Sequence, residues 1–322
     1  MCFYSYHSIN MIKVFIDGKE GTTGLQIADR LKARKDIALL ELCEEERKSP
    51  LCRKEAINSS DITILCLPDD IAKESVSLAE GKVRIIDAST AHRTEKGWAY
   101  GLPELSKEFE NGVINGNRVC VPGCHASGFL ALVYPLIAGG YLDKSARLSC
   151  TSLTGYSGGG KKMIERYQDK DNYNLLNAPA IYAVAQQHKH LKEMVKISGL
   201  DNAPCFNPIV CNFYSGMLVF VPLPTNLLNF SKEDLSGEVV LKVREILARH
   251  YNNGNGRIKV LNAGEGIHEN GTVIASRLSG SDNMEIMVEG SKDNITLYAV
   301  YDNLGKGASG GAVQCLDLML KH

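Results

Sequence analysis

The sequence predicts an α/β protein, a doubly wound parallel sheet followed by an α+β unit, and three observations carry that prediction. Between residues 12 and 87, short β-branched apolar runs alternate with amphipathic helical stretches. That pattern belongs to a parallel sheet buried on both faces. The first run passes straight into a glycine-rich turn that opens a helix, the join at which open α/β sheets build an anion site. From about Cys205 onward, strand-like runs are separated by Asn, Gly, Asp and Ser, which predicts an antiparallel sheet with helices on one face.

Taken in order, Ile12–Asp17 is the first strand and Gly18–Gly24 the turn after it. A helix follows, with Leu25, Ile27, Ala28 and Leu31 on one side and charges on the other. Ile37–Leu42 is a strand, Pro50–Asn58 a helix, and Ile62–Leu67 a buried strand. Ile71–Ala79 is helical again, and Val83–Asp87 is a further strand. Phe129–Ile137 continues a helix that opens near Cys124, and Lys161–Arg166 starts another. Strands are expected at Phe213–Val221, Ile258–Leu261, Thr272–Ser276, Met284–Val288 and Ile295–Tyr301. The tail from Leu304 is a glycine-rich turn leading into a last helix that packs back on the first domain. The expected division is therefore 11–122, 123–302 and 303–322.

Composition excludes several classes. The 322 residues carry a formal net charge of −1, so no footprint for nucleic acid or an anionic membrane is visible. No apolar run approaches the ~18–20 residues of a spanning helix. The first ten residues, MCFYSYHSIN, lack a basic start and an apolar core. They are not a secretory signal and are taken as an extension upstream of Met11. The ten cysteines form no Cys-x-x-Cys pair and show no zinc-type spacing with histidine, so no metal is expected and a reducing, cytoplasmic setting is.

In the first turn, Gly18 permits a tight bend, Gly21 lets a pyrophosphate approach the backbone, and Gly24 allows close helix–strand packing. Thr22 and Thr23 sit at the helix start beside them. The end of the second strand decides between NAD, whose ribose hydroxyl takes an acidic partner, and NADP, whose phosphate takes a basic one. Glu41–Lys48 offers both signs, Arg47 and Lys48 included, and leaves that choice open.

Cys124 follows Val-Pro-Gly and precedes the long apolar helix. A helix start offers free N–H groups and the positive dipole end, which favour thiolate. A cysteine nucleophile needs a base and a later proton donor. His188 and His190 supply one, since residues two apart point in different directions and one of them faces the thiol. Ser157, Gly158, Gly159 and Gly160 form a flexible segment opening a helix at Lys161, suited to an oxyanion or phosphate. Asp87–Arg93, with Ser89, lies at the carboxyl end of a strand. Arg93 there either clamps an anion or makes a structural salt bridge.

The motifs together resemble the N-acetyl-γ-glutamyl-phosphate reductases, in their shorter (type 2) form, of the aspartate-semialdehyde and glyceraldehyde-3-phosphate dehydrogenase-like group. The resemblance runs from Ile12 to the C-terminus. It rests on Gly18–Gly24, Leu65-Cys-Leu-Pro-Asp-Asp70, Asp87–Arg93, Tyr100-Gly-Leu-Pro-Glu-Leu105, Pro122-Gly-Cys124, Gly155–Lys161 and Asp302-Asn-Leu-Gly-Lys-Gly307. It implies a Rossmann domain, then a glyceraldehyde-3-phosphate-dehydrogenase-like domain, with NADPH as reductant and a step of arginine biosynthesis as the role. It also implies Cys124 as nucleophile and the His188/His190 pair as acid/base, with His188 taken first. Arg93 and Ser157–Gly160 would bind the acyl-phosphate substrate, Ser89 the cofactor, and Asn303 would lie near the nicotinamide. A homodimer or homotetramer through the second domain is implied too. His125 stands where the family often has tyrosine.

Three other readings share these residues. One is a neighbouring acyl-phosphate reductase acting on aspartyl or aminoadipyl phosphate, since one methylene is worth only ~1–3 kcal/mol of discrimination. Another is a nucleotide-binding regulatory protein with an inert Cys124. The third, a cysteine hydrolase, leaves Gly18–Gly24 unexplained.

Overall fold

The computed structural model describes residues 11–169, 171, 173–231, 238–252 and 256–321. The ten residues read as an upstream extension, Cys2 among them, lie outside the described residues.

Six parallel strands make the first sheet: β1 (Ile12–Asp17), β2 (Ile37–Leu40), β3 (Ile62–Leu65), β4 (Arg84–Asp87), β5 (Ala99–Tyr100) and β6 (Arg118–Cys120). Their order is β2-β1-β3-β4-β6-β5. All four residues of β3 are buried, as a strand covered on both faces requires. Helices α1 (Thr22–Lys32), α2 (Pro50–Ser59), α3 (Asp69–Leu78) and α4 (Lys107–Asn115) connect the strands. The order turns back between β1 and β3, and the crevice outside the carboxyl ends at such a point is where these folds take ligands.

The second sheet has seven strands: β7 (Ser149–Gly155), β8 (Ala180–Ile181), β9 (Cys205–Cys211), β10 (Met217–Pro224), β11 (Ile258–Val260), β12 (Met284–Gly290) and β13 (Asn294–Tyr301). Their order is β11-β12-β13-β10-β7-β9-β8. One face is covered by α5 (Cys124–Ala138), with α8 (His190–Ser198) and α9 (Val239–Tyr251) packed against it. Two shorter helices, α6 (Lys161–Gln168) and α7 (Tyr173–Leu176), lie in the connection after β7. Helix α5 is buried on nearly every side, which explains why its sequence is apolar all round rather than along one stripe. A last helix, α10 (Gly310–Met319), follows a one-turn π-helix at Gly305–Ser309. Its Ala312, Val313, Leu316 and Met319 join Val14, Ile16, Ile27 and Leu31 in one apolar cluster.

Four expectations need correction. The second sheet is mixed, because β7 pairs β9 and β11 pairs β12 in parallel. Thr272–Ser276 is not a strand. Val273 and Ala275 pack onto Leu218, Met287 and Val300, and only Thr272 bridges, to His268. The strand expected from Phe213 begins at Met217, because the carbonyls of Phe213, Tyr214 and Gly216 accept from Tyr156, Ser157 and Gly155 at 2.9–3.0 Å. Finally, β7 and β9 were not anticipated. Their sequences, SCTSLTG and CFNPIVC, hide an alternating burial pattern behind Ser, Thr and Pro.

Candidate active site

One continuous cleft of about 910 Å³ runs between the two sheets, from Gly21–Thr23 at the head of α1 to Cys124, Ser157–Lys162 and His188–His190. Its first wall is local geometry. Gly18 has φ +89°, and a side chain there would collide with the backbone at Cys66. A Cβ at Gly24 would lie 2.5 Å from the Gly18 carbonyl oxygen, so α1 packs directly on the turn. Neither glycine lines the cleft; both shape it. Gly21 does line it, with nothing nearer than 3.5 Å to a Cβ placed there. Thr22 Oγ1 is buried beside it with no hydrogen-bond partner. A helix start with an open glycine and an orphaned hydroxyl fits the diphosphate of a dinucleotide.

Other expected cofactor contacts are engaged elsewhere. Ser89 lines the cleft, but its hydroxyl donates to Asp87 Oδ2 at 2.8 Å and its N–H to Oδ1. Arg47 is not among the lining residues; it pairs with Glu20 at 2.6 Å. Glu41 is held by Lys19, which keeps its carboxyl below the usual range. Asn303 is buried and bridges two loops: Oδ1 accepts from the Gly216 N–H at 2.9 Å and Nδ2 donates to Ser157 Oγ at 3.0 Å.

Cys124 is the first residue of α5, with Gly123 as N-cap. A carboxylate missed in the sequence fixes this corner. Glu193, 2% exposed, accepts from Arg93 Nη1 at 2.8 Å, from the Tyr100 hydroxyl at 2.7 Å and from the Gly123 N–H at 3.1 Å. A Cβ at Gly123 would sit 2.4 Å from His190 Nε2, 2.5 Å from Arg93 Nη1 and 2.6 Å from Glu193 Oε1, so any larger residue would push these buried side chains apart. Arg93 therefore makes the structural salt bridge. Its Nε and Nη2 also donate, to the carbonyls of Val121 and Ala88 at 2.9 and 3.2 Å.

One ligand atom each of Cys124, His125 and His190 lies within 4.8 Å of the others; His188 is not in that group. His188 Nδ1 instead accepts the His190 N–H at 3.2 Å, holding the start of α8. The structure thus groups His190 with the thiol, while His188 lines the same cleft. His125, also missed, spans Ser152 Oγ at 2.7 Å and the Tyr182 hydroxyl at 2.6 Å.

Burial works against the lowering expected of a thiol at a helix start. Burial pushes the Cys124 thiol up to about 11, and the opposing pull of Arg93 and the helix-start N–H does not compensate. Burial also lowers His125 to about 3, His188 to about 4, and His190 well below its usual value. At pH 7 the sulfur is protonated and the imidazoles are neutral; among these three histidines, His190 keeps a buried ring nitrogen, Nδ1, with no hydrogen-bond partner. Alkylation of Cys124 by iodoacetamide is then expected to rise about tenfold per pH unit from 7 to 10. A plateau below pH 8 would show a depressed pKa instead.

Gly160, at φ +76°, ends the Tyr156–Gly159 turn and caps α6. Lys161, Lys162 and Lys189 line the cleft beside Ser157, Gly158 and Gly159. Three cations and a helix start make this end receptive to an anion.

The sequence matches two family models, the NAD-binding domain of semialdehyde dehydrogenase over residues 13–111 and the semialdehyde dehydrogenase dimerisation domain over 124–303. It is 42% identical to the N-acetyl-γ-glutamyl-phosphate reductase of Chelativorans sp. over 313 residues, 96% of this chain and 98% of that protein. Identity to the reductase of Rhizobium meliloti is 41% over 314 residues, with the same coverage. The chain belongs to the N-acetyl-γ-glutamyl-phosphate reductase family.

Family membership makes it an oxidoreductase of acyl phosphates and aldehydes that uses a nicotinamide nucleotide. The fold agrees with aspartate semialdehyde dehydrogenase of Francisella tularensis, at a TM-score of 0.70 and 14% identity, covering 96% of this chain and 100% of that one. The corresponding enzyme II of Vibrio cholerae gives 0.67 at 15% identity, covering 97% and 99%. Among the described residues no helix is long and apolar enough to cross a membrane.

Proposed function

We propose that this chain reduces N-acetyl-γ-glutamyl phosphate to N-acetyl-L-glutamate 5-semialdehyde and phosphate, with NADPH as reductant, Cys124 as acyl carrier and His190 as its acid/base. The observation that carries this reading is the single cleft joining the head of α1 to the Cys124–His190 pair. Gly21, Thr22 and Thr23 would hold a nicotinamide nucleotide, which would supply the hydride that converts the acyl group to an aldehyde.

The chain's own residues do the rest. The thiol proton moves to His190 as the sulfur attacks the acyl carbon. The C–S bond forms, the bond to phosphate breaks, and the departing phosphate takes a proton from solvent. Since the resting proton is held on sulfur, transfer is coupled to attack rather than complete before it. The acyl group stays fixed on Cys124 beside the cofactor site. When the aldehyde leaves, the C–S bond breaks and His190 returns its proton to the sulfur. Lys161, Lys162, Lys189 and the Ser157–Gly160 turn hold the phosphate and carboxylate. Arg93 acts from behind, by fixing Gly123.

NADP over NAD is supported by the pairing of Glu41 with Lys19, which occupies the carboxylate a ribose hydroxyl would need. Arg47 stands against the same loop through Glu20. The second sheet, which matches the dimerisation domain, is where we place the contact of a homodimer or homotetramer.

The reaction run backwards tests substrate and cofactor together. With N-acetylglutamate semialdehyde and phosphate, NADP⁺ is expected to give at least about tenfold higher kcat/KM than NAD⁺, and aspartate semialdehyde at least about tenfold lower, a difference of ~1.4 kcal/mol each. Faster turnover of aspartate semialdehyde would overturn the substrate; parity of the nucleotides would overturn NADP.

A further inference from the structure

The corner that holds Cys124 has a second chemical capacity. Cys124, His125 and His190 each offer one ligand atom, all within 4.8 Å of one another. His190 is 5% exposed, and its Nδ1 is buried with no hydrogen-bond partner. His125 is 3% exposed, with one ring nitrogen against Ser152 Oγ and the other against the Tyr182 hydroxyl. One thiol and two imidazoles form a soft donor set.

We propose that Cys124, His125 and His190 bind a soft divalent cation of the zinc class, with solvent from the cleft as fourth ligand, and that this ion competes with the acyl substrate for the sulfur. A tetrahedral ion ~2.3 Å from sulfur and ~2.0–2.1 Å from nitrogen sets its ligand atoms ~3.3–3.6 Å apart. Side-chain rotation that draws these atoms together by up to ~1.2–1.5 Å closes the site. His125 releases one hydroxyl partner to do so, and the other keeps its ring oriented, as outer hydrogen bonds commonly do for metal-bound imidazole. The thiol proton goes to solvent as the S–metal bond forms, and nothing is oxidised or reduced. A tyrosine at position 125 would have no nitrogen to offer, so the site depends on His125 itself.

Competition rests on Cys124 being the acyl carrier; binding does not. The test is titration of the full chain with Cd²⁺, read by thiolate-to-metal charge-transfer absorption, with circular dichroism confirming that each variant is folded. One equivalent per chain is expected to give a band that Cys124→Ser abolishes. His125→Tyr and His190→Gln are each expected to weaken binding at least about tenfold. A band retained in Cys124→Ser, or affinity unchanged in both histidine variants, would overturn the site. If Cd²⁺ binds as expected but Zn²⁺ leaves reductase turnover untouched, the competition fails while the site stands.

Discussion

Cys124→Ser lowers reductase turnover at least about 10³-fold while leaving NADPH binding within about twofold of the parent. A serine hydroxyl ionises far less readily than a thiol, and the reaction needs the attacking atom itself. The cofactor end of the cleft, at Gly21–Thr23, is remote in sequence and built on a different sheet. Steady-state assays and nucleotide fluorescence titration on the same preparation give both numbers. Turnover within tenfold of the parent would remove Cys124 from the chemistry.

Glu193→Ala is expected to be the most damaging single change for stability. It leaves the Arg93 guanidinium, 9% exposed, without its counter-charge, and it orphans the Tyr100 hydroxyl and the Gly123 N–H. Breaking a buried pair by removing one partner costs about 3–5 kcal/mol. Because Glu193 fixes the N-cap of α5, kcat is also expected to fall about 10²-fold in whatever folds, the scale of a misplaced reacting group. Glu193→Gln keeps one acceptor oxygen, which Tyr100 and Gly123 can share as they share Oε2, and is expected to lie between parent and alanine variant on both scales. Chemical denaturation followed by circular dichroism reads the stability. A loss under 1 kcal/mol in Glu193→Ala would show that the corner is held by something else.

The sequence exposed what is periodic and local. The strands of the first sheet are continuous apolar runs, and Gly18 and Gly24 are demanded by turn and packing geometry within a few residues of themselves. Cys124 stood out because a glycine and a helix frame it. What stayed hidden depends on distant partners. Glu193 looks like an ordinary charge on an amphipathic helix, although it lies three residues after His190 on α8; its role comes from Arg93, 100 positions away. His125 was visible as a departure from the family, but not its bridge from Ser152 to Tyr182. Arg93, Ser89 and Asn303, expected to contact substrate or cofactor, line the cleft. Their polar atoms are nonetheless largely taken up by the protein itself, which residue type and spacing do not reveal. The upward push on the thiol stayed hidden for a similar reason: a helix start is a local signal, while burial is a property of the closed fold.

The central claim is that Cys124 carries the acyl group as a thioester. Intact-mass and peptide mass spectrometry of the chain incubated with N-acetyl-γ-glutamyl phosphate, without reductant, tests it directly. The expected result is one N-acetylglutamyl group per chain, on the peptide containing Cys124, released when NADPH is added. An unmodified chain, or the group on any other residue, would contradict it.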